Sequence, residues 1–317
     1  AFNSLGTTLA PIIGGYLVFN RITDSQSLVV PYLVYCGIFL VLAALLWATR
    51  LPEPPSTPAK GGHALRHPQV RYGMAAIFAY VGAEVAIGIL FINFVQLPEV
   101  LDLQEGTAKF YLSLYWGGAM CGRFLGALAL SDQVQPAWRP WFIAALGLGL
   151  FILILLIQQV SGGLDLQALW PMLVLIAVNA TAFVIVGRSS SATLGVFACL
   201  AAMLCGSAMV THGSWAMWSL VAIGLFNSVM WSNIFTLAIE GLKEDTSQGS
   251  SLLVMMIAGG AVIPKIQGFM ADSPWGLQFS FVVPLVCYAY LAWYGFISSS
   301  HTSAIASPSL TDQDRRA

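Results

Sequence analysis

Charge is what this sequence lacks. Only 9% of its 317 residues are Asp, Glu, Lys or Arg, against 58% hydrophobic, where a soluble domain carries about 25% charged residues. That shortage excludes a water-soluble globule of this size. Nucleic-acid binding has no basic patch to support it, and the net charge is −1. Gly-rich phosphate loops, nucleophile elbows and HExxH runs are missing. His63 and His67 stand one helical turn apart, but in a Pro/Gly-rich stretch without Cys partners, so the usual zinc patterns are absent. Cys36, Cys121, Cys199, Cys205 and Cys287 all fall inside apolar stretches, whereas a disulfide framework needs paired positions in oxidising loops. They read as buried, reduced thiols acting as small hydrophobes. An initiator Met and a signal-peptide n-region are also missing, and the expectation is a fragment lacking an N-terminal portion.

What is present is hydrophobicity in blocks. Apolar runs cover residues 1–19, 32–48, 73–96, 111–130, 140–157, 169–187, 193–211, 215–241, 252–270 and 279–297. Each is near the roughly 20 residues needed to span a bilayer as a helix. The alternation of a membrane β-barrel is absent, and without water only helices can span. The expected fold is therefore an all-α membrane protein with about ten transmembrane helices and no room for a soluble catalytic domain.

Charge placement gives the topology. Arg50, Lys60, Arg66 and Arg71 lie between blocks two and three, Arg139 between four and five, and Arg188, Lys243, Arg315 and Arg316 follow later alternate blocks. The remaining loops hold Asp24, Glu99, Asp102, Glu105, Asp165 and Asp272, with only Arg21 and Lys109 to offset them. The positive-inside rule puts loop 50–71 and the C-terminus in the cytoplasm.

The expected organisation is two helices in 1–49, a cytoplasmic linker at 50–71, a larger helical unit at 72–297 and a cytoplasmic tail at 298–317. Within the larger unit, blocks five and six, at about 139–187, are nearly uncharged and read as an inserted helical hairpin. Blocks four and nine share Gly-Gly-Ala followed by a cation: Gly117, Gly118 and Ala119 with Arg123, and Gly259, Gly260 and Ala261 with Lys265. Close helix packing explains such small residues; an inverted repeat is the other reading.

Glu84 is the sharpest single residue. A carboxylate at mid-membrane costs a few kcal/mol and tends to face an interior cavity with a partner. It is a candidate for substrate hydrogen bonding or cation coupling, and a structural carboxyl is the alternative. Amides both donate and accept, which suits a polyhydroxylated ligand. Asn3, Asn93, Gln96, Asn179, Asn227, Asn233 and Gln267 are the candidates, with Phe2, Tyr80, Tyr115, Trp116, Phe226 and Trp231 available to stack on a sugar face. Asn179, inside the hairpin, reads as helix glue. Arg123 is a gating candidate, with Glu240, Glu244 or Asp245 as its salt-bridge partner; Lys265 reads as snorkelling.

Several phrases resemble a known family. AFNSLGTTLAPIIGGYL at 1–17, FAYVGAEVAIGILFINF at 78–94, YWGGAMCGRFLGA at 115–127, GLFNSVMWSNIFTLAIEGL at 224–242 and TSQGSSLLVMMIAGGAVIPKIQGFMAD at 246–272 are similar to the fucose/glucose–galactose permeases of the major facilitator superfamily. The resemblance spans most of the chain apart from the hairpin and the tail. It implies sugar–cation cotransport by alternating access, no enzyme activity and no cofactor beyond a coupling ion, H⁺ or Na⁺. It also implies a chain beginning at the fifth of twelve helices, a bacterial inner-membrane location and a monomer when full length. By the same resemblance Asn3 matches an asparagine implicated in sugar recognition. Glu84 stands where glucose/galactose-type members carry glutamate and the fucose permease glutamine, favouring a hexose or amino sugar over fucose. The substrate-binding set is then Asn3, Glu84, Asn93, Asn227, Gln267, Tyr80 and Trp116, with Glu84 and Arg123 in coupling or gating. Trp231-Ser232-Asn233 departs from the family's commoner Phe-Pro-Thr, and the acidic coupling residues of the fucose permease lie in helices this chain lacks. N-acetylglucosamine or fucose as substrate, and a membrane sugar sensor that binds without accumulating, stay open; a membrane-embedded transferase lacks its interfacial cluster of His, Asp or Glu.

Overall fold

A computed structural model describes residues 29–49, 63–131, 134–160, 166–187 and 189–306, with isolated positions 6, 10 and 162; side-chain surroundings are described up to residue 298. Helix and turn are the only structure among these residues. α1 is Val29–Ala48, α2 Pro68–Val95, α3 Glu105–Ala129, α4 Arg139–Val160, α5 Leu166–Val186 and α6 Ser190–Val210. Three interrupted helices follow: α7 Gly213–Asn227 with α8 Met230–Ile239, α9 Thr246–Met255 with α10 Gly259–Ala271, and α11 Gly276–Phe279 with α12 Val282–Ala306.

Seven segments among the described residues are long and apolar enough to cross a membrane: Pro68–Val95, Arg139–Val160, Leu166–Val186, Ser190–Val210, Gly213–Ile239, Lys243–Ala271 and Gly276–Ser298; Tyr32–Ala48 is a shorter apolar helix. The chain is a multi-pass membrane protein. The expected ten spans are corrected to seven plus that shorter one. The block at 1–19 lies outside the described residues. Block four does form a helix of 25 residues, but its middle exchanges long aliphatics for Gly117, Gly118, Gly122, Gly126 and Arg123, which lowers its hydropathy below that of a span. Its apolar gain comes from close packing inside the protein rather than from lipid.

The packing repeats itself. On α3, Gly118, Gly122 and Gly126 form one face against the α7–α8 region: a Cβ on Gly118 would stand 3.2 Å from the Leu225 side chain, and one on Gly122 only 2.5 Å from the Leu225 carbonyl oxygen. On α10, Gly259 presses in the same way on the Phe78 backbone of α2, and Gly260 on Val81. The contact is reciprocal, because Gly224 of α7 lies against the Tyr115 backbone and Gly82 of α2 against Ile263. One and the same offset along the sequence relates Gly82 to Gly224, Gly117 to Gly259, Gly118 to Gly260 and Arg123 to Lys265. The second helix of each unit thus packs on the first helix of the other, the arrangement of an inverted repeat. α6 and α12 close the pair: a Cβ on Gly295 would meet the Gly195 backbone nitrogen at 2.5 Å.

The α4–α5 hairpin stands between α3 and α6, whereas only a short turn and α11 separate α10 from α12. Much of its surface is exposed and apolar, with Trp141, Phe142, Trp170 and Ile185 outward, and Ile143, Phe151, Ile176 and Phe183 buried. Buried Gln158 ties the hairpin to α3 by donating from Nε2 to the Phe110 carbonyl at 3.4 Å. All five cysteines are free. Cys121, Cys205 and Cys287 are buried, while Cys199 is half-buried and Cys36 exposed on α1, which corrects the expectation of uniform burial. At one end of the bundle His63 and His67 reach Asp245: the His63 backbone N–H donates to Oδ1 at 3.2 Å and His67 Nε2 lies 3.1 Å from Oδ2.

Candidate functional site

The helix α7–α8 breaks at Ser228 and Val229. Neither residue is Pro or Gly. A break frees carbonyls that a continuous helix would satisfy itself, and here three neighbouring helices supply donors. The Tyr80 hydroxyl of α2 donates to the Asn227 carbonyl at 3.1 Å. Arg123 Nε of α3 donates to the Ser228 carbonyl at 3.2 Å. Asn179 Nδ2 of α5 donates to the Leu225 carbonyl at 3.4 Å.

Glu84 sits one turn beyond Tyr80 on the same face of α2, since residues four apart stack on a helix. The residue is 9% exposed, and its Oε1 lies 3.6 Å from Arg123 Nη2. That oxygen is buried and accepts no hydrogen bond. The Tyr80 hydroxyl interacts with both charges. Below the pair, the Tyr115 hydroxyl donates to the Glu84 backbone carbonyl at 2.9 Å and accepts from Asn227 Nδ2 at 3.1 Å. α2, α3 and α7 are thus stitched together at one level by Tyr80, Tyr115 and Asn227, and the carboxylate–guanidinium pair projects above them.

It projects into a cavity of about 590 Å³, lined by Tyr80, Val81, Glu84, Arg123, Gly126, Ala127, Leu130, Ser228, Val229, Trp231, Ser232 and Ile257. Trp231 and Phe235 stack with ring centroids 5.0 Å apart. The cavity holds one acid, one base, hydroxyls and an indole among apolar walls. This composition suits a small neutral ligand with several hydroxyl groups. No group of three or more His, Cys, Asp or Glu able to hold a metal occurs among the described residues.

The expected residues separate into two groups. Glu84, Tyr80 and Arg123 line the cavity, and Asn227 lies buried directly behind, bonded to Tyr115. Asn93 is exposed; nine residues beyond Glu84, it faces about 180° away around α2. Trp116 is half-buried against Gly88 and edge-on to Tyr115 at 5.1 Å. Gln267 is fully buried and donates to Ser280 Oγ at 3.3 Å, tying α10 to the start of α12. Asn3 lies outside the described residues. The partner of Arg123 differs from the expected one: Glu84 takes it, within the membrane, while Asp245 is held by His63 and His67. Ser228 and Ser232 also line the cavity; Ser232 belongs to the Trp231-Ser232-Asn233 departure, but nothing in either residue type marks a helix break.

Comparison with known proteins bears on this architecture. The chain carries the fold of the major facilitator superfamily: it superposes on the crystal structure of the transporter FucP in the outward conformation with a TM-score of 0.60, at 21% identity, over 94% of this chain and 66% of that one. Its sequence is similar to those of bacterial sugar transporters. It is 35% identical over 310 residues to the glucose/galactose transporter of Brucella abortus, covering 94% of this chain and 62% of the relative. A putative glucose/galactose transporter of Helicobacter pylori is 32% identical, with 93% and 63% covered. The L-fucose–proton symporter of Escherichia coli is 24% identical, with 92% and 60% covered. The chain therefore spans a little over 60% of the length of these two glucose/galactose transporters. No family model matches it.

Proposed function

We propose that this chain forms the cavity-bearing part of a secondary active transporter that moves a glucose- or galactose-type hexose together with H⁺ or Na⁺ across a bacterial inner membrane by alternating access. The observation that carries the reading is the Glu84 carboxylate: it is buried in an otherwise apolar helix and paired with Arg123 at 3.6 Å, at the wall of a cavity beside a broken helix. A carboxylate within a membrane span tends to face an interior cavity with a charged partner, and from the cavity wall this one can accept a sugar hydroxyl. Arg123 donates to another, and Trp231 offers a face for the ring. The names of the relatives favour hexose over fucose, and the fucose–proton symporter among them favours a proton as the coupling ion.

Glu84 also serves coupling in this reading. Protonating it removes the charge that holds one side of the Arg123 guanidinium, whose other side is bonded to the Ser228 carbonyl. Arrival of a proton or a sugar at Glu84 is thereby felt at the helix break. Asn3 completes the proposed substrate set, whereas Asn93, Trp116 and Gln267 do not line this cavity. The assigned organisation keeps 1–49 as two helices of a first half, 50–71 as a cytoplasmic linker, 72–297 as the second half with its hairpin at about 139–187, and 298–317 as a cytoplasmic tail. The whole protein acts as a monomer.

The test is uptake of labelled glucose, galactose, fucose and N-acetylglucosamine by cells expressing the complete reading frame, with and without Na⁺ and a protonophore. Accumulation of one hexose, abolished by one ion condition and by Glu84→Gln, is the expected result. Sugar binding without accumulation would replace the transporter with a sensor. Unchanged uptake and pH dependence in Glu84→Gln would remove Glu84 from coupling.

A further inference from the structure

The hairpin α4–α5 has no counterpart in the second repeat, and most of its outer surface is apolar. Two of its side chains nevertheless point inward to the site level. Asn179 is fully buried, and its Nδ2 donates to the Leu225 carbonyl, in the last turn before the break. One turn further along α5, Phe183 packs against the position of Gly126, with a ring carbon 3.0 Å from where a Cβ would stand, and on Phe197 at 4.8 Å between ring centroids. Gly126 lines the cavity.

We propose that the hairpin is a brace on the broken helix and that Asn179 is a positioning residue for the cavity. In a continuous helix the Leu225 carbonyl would accept from the backbone N–H of residue 229. Here Val229 lies in the break, and an amide from another helix takes the bond. The geometry of the break is therefore set from three directions. Tyr80 and Arg123, which also line the cavity, fix the Asn227 and Ser228 carbonyls. Asn179, which does not line it, fixes the Leu225 carbonyl from behind. Losing the amide lets the end of α7 settle differently, moving Ser228, Trp231 and Ser232 relative to Glu84. Gln158 makes the hairpin's other inward tie, to the Phe110 carbonyl of α3, away from the break, so it is the natural control.

The inference extends the transport reading, and two readouts keep them separable. In the complete protein, Asn179→Leu preserves bulk but removes the amide, and Gln158→Leu does the same at the control position. The first readout is the concentration of hexose giving half-maximal uptake. Asn179→Leu is expected to raise it about 3- to 10-fold, the range interhelical hydrogen bonds in membranes imply. Maximal uptake per molecule should stay within about twofold, and Gln158→Leu should leave both values near the parent. The second readout needs no sugar. The rate of maleimide labelling at a Ser232→Cys thiol, on the cavity edge, should change in the Asn179→Leu background by a comparable factor but not with Gln158→Leu. Labelling at the parent rate in Asn179→Leu overturns the brace whether or not any sugar is transported. Equal shifts from both substitutions also overturn it, because the hairpin then contributes only general stability. A parent that takes up no sugar, combined with altered labelling in Asn179→Leu, rejects the transport reading and leaves the brace standing. Should Asn179→Leu fail to reach the membrane, Asn179→Ala is read by the same criteria.

Discussion

Arg123 and Lys265 occupy matching positions beyond the two Gly-Gly pairs, in helices that pack in matching ways, yet their surroundings differ. Arg123 is turned onto Glu84 and the Ser228 carbonyl. Lys265 is exposed, its ammonium 5.9 Å from the centroid of the Phe269 ring. The same offset that relates the two cations relates Glu84 to Phe226. In the second repeat an aromatic side chain stands where the first has a carboxylate, and Lys265 forms no ion pair among the described residues. Similar scaffolds thus diverge at one position, and the packing glycines are indifferent to the change.

Breaking the pair should have the largest effect. Arg123→Leu leaves Glu84 charged and unpaired inside the membrane, a change of about 3–5 kcal/mol for a buried pair. We expect a marked fall in the thermal midpoint of the purified protein, largely restored by adding Glu84→Gln. A double substitution as unstable as Arg123→Leu alone would show that the two side chains are not coupled. Lys265→Leu, the matched substitution in the second repeat, should stay within about 0.5 kcal/mol.

The glycine seams come next. Gly122→Ala puts a methyl group 2.5 Å from the Leu225 carbonyl oxygen, which backbone cannot evade cheaply. The expected cost is about 1–3 kcal/mol, read as a lower thermal midpoint. Gly268→Ala, with no atom within 4 Å of the new methyl, should be neutral or slightly stabilising, since alanine is the better helix former. Equal effects at the two sites would contradict the packing described. Tyr115→Phe, which removes the hydroxyl bonded to both Glu84 and Asn227, is expected to cost about 1.2 kcal/mol, twice the average for one interhelical hydrogen bond in a membrane. The smallest change should follow Asp245→Asn, at an exposed contact with His63 and His67 that salt screens; its effect on the thermal midpoint should vanish at high ionic strength.

Composition and block length made the helical membrane class legible, and a carboxylate inside an apolar run marked Glu84 before any coordinates. Gly-Gly-Ala with its cation hinted at the repeat, and near-absence of charge singled out the hairpin. Other features were not legible for physical reasons. α2 is apolar nearly all round, so residue type could not say that Asn93 faces away from Glu84. The partner of Arg123 depends on how two helices meet, and loop charges such as Asp245 looked equally suitable from the sequence. The break in α7–α8 follows no Pro or Gly; it is held open by Tyr80, Arg123 and Asn179, residues far away along the chain. Trp116 and Gln267 carry polar groups that pack between helices as readily as they could face a ligand. The span count overshot at α3 because its glycines, read as membrane-compatible, serve protein contact instead.

The three-way capping of the α7–α8 break bears on how such a protein can change over generations. Its pocket takes its shape partly from side chains that never touch the contents. A drift at Asn179, out on a hairpin bordered by lipid, would retune the fit while every wall residue stayed the same. Two descendants would then keep identical walls around cavities of different shape.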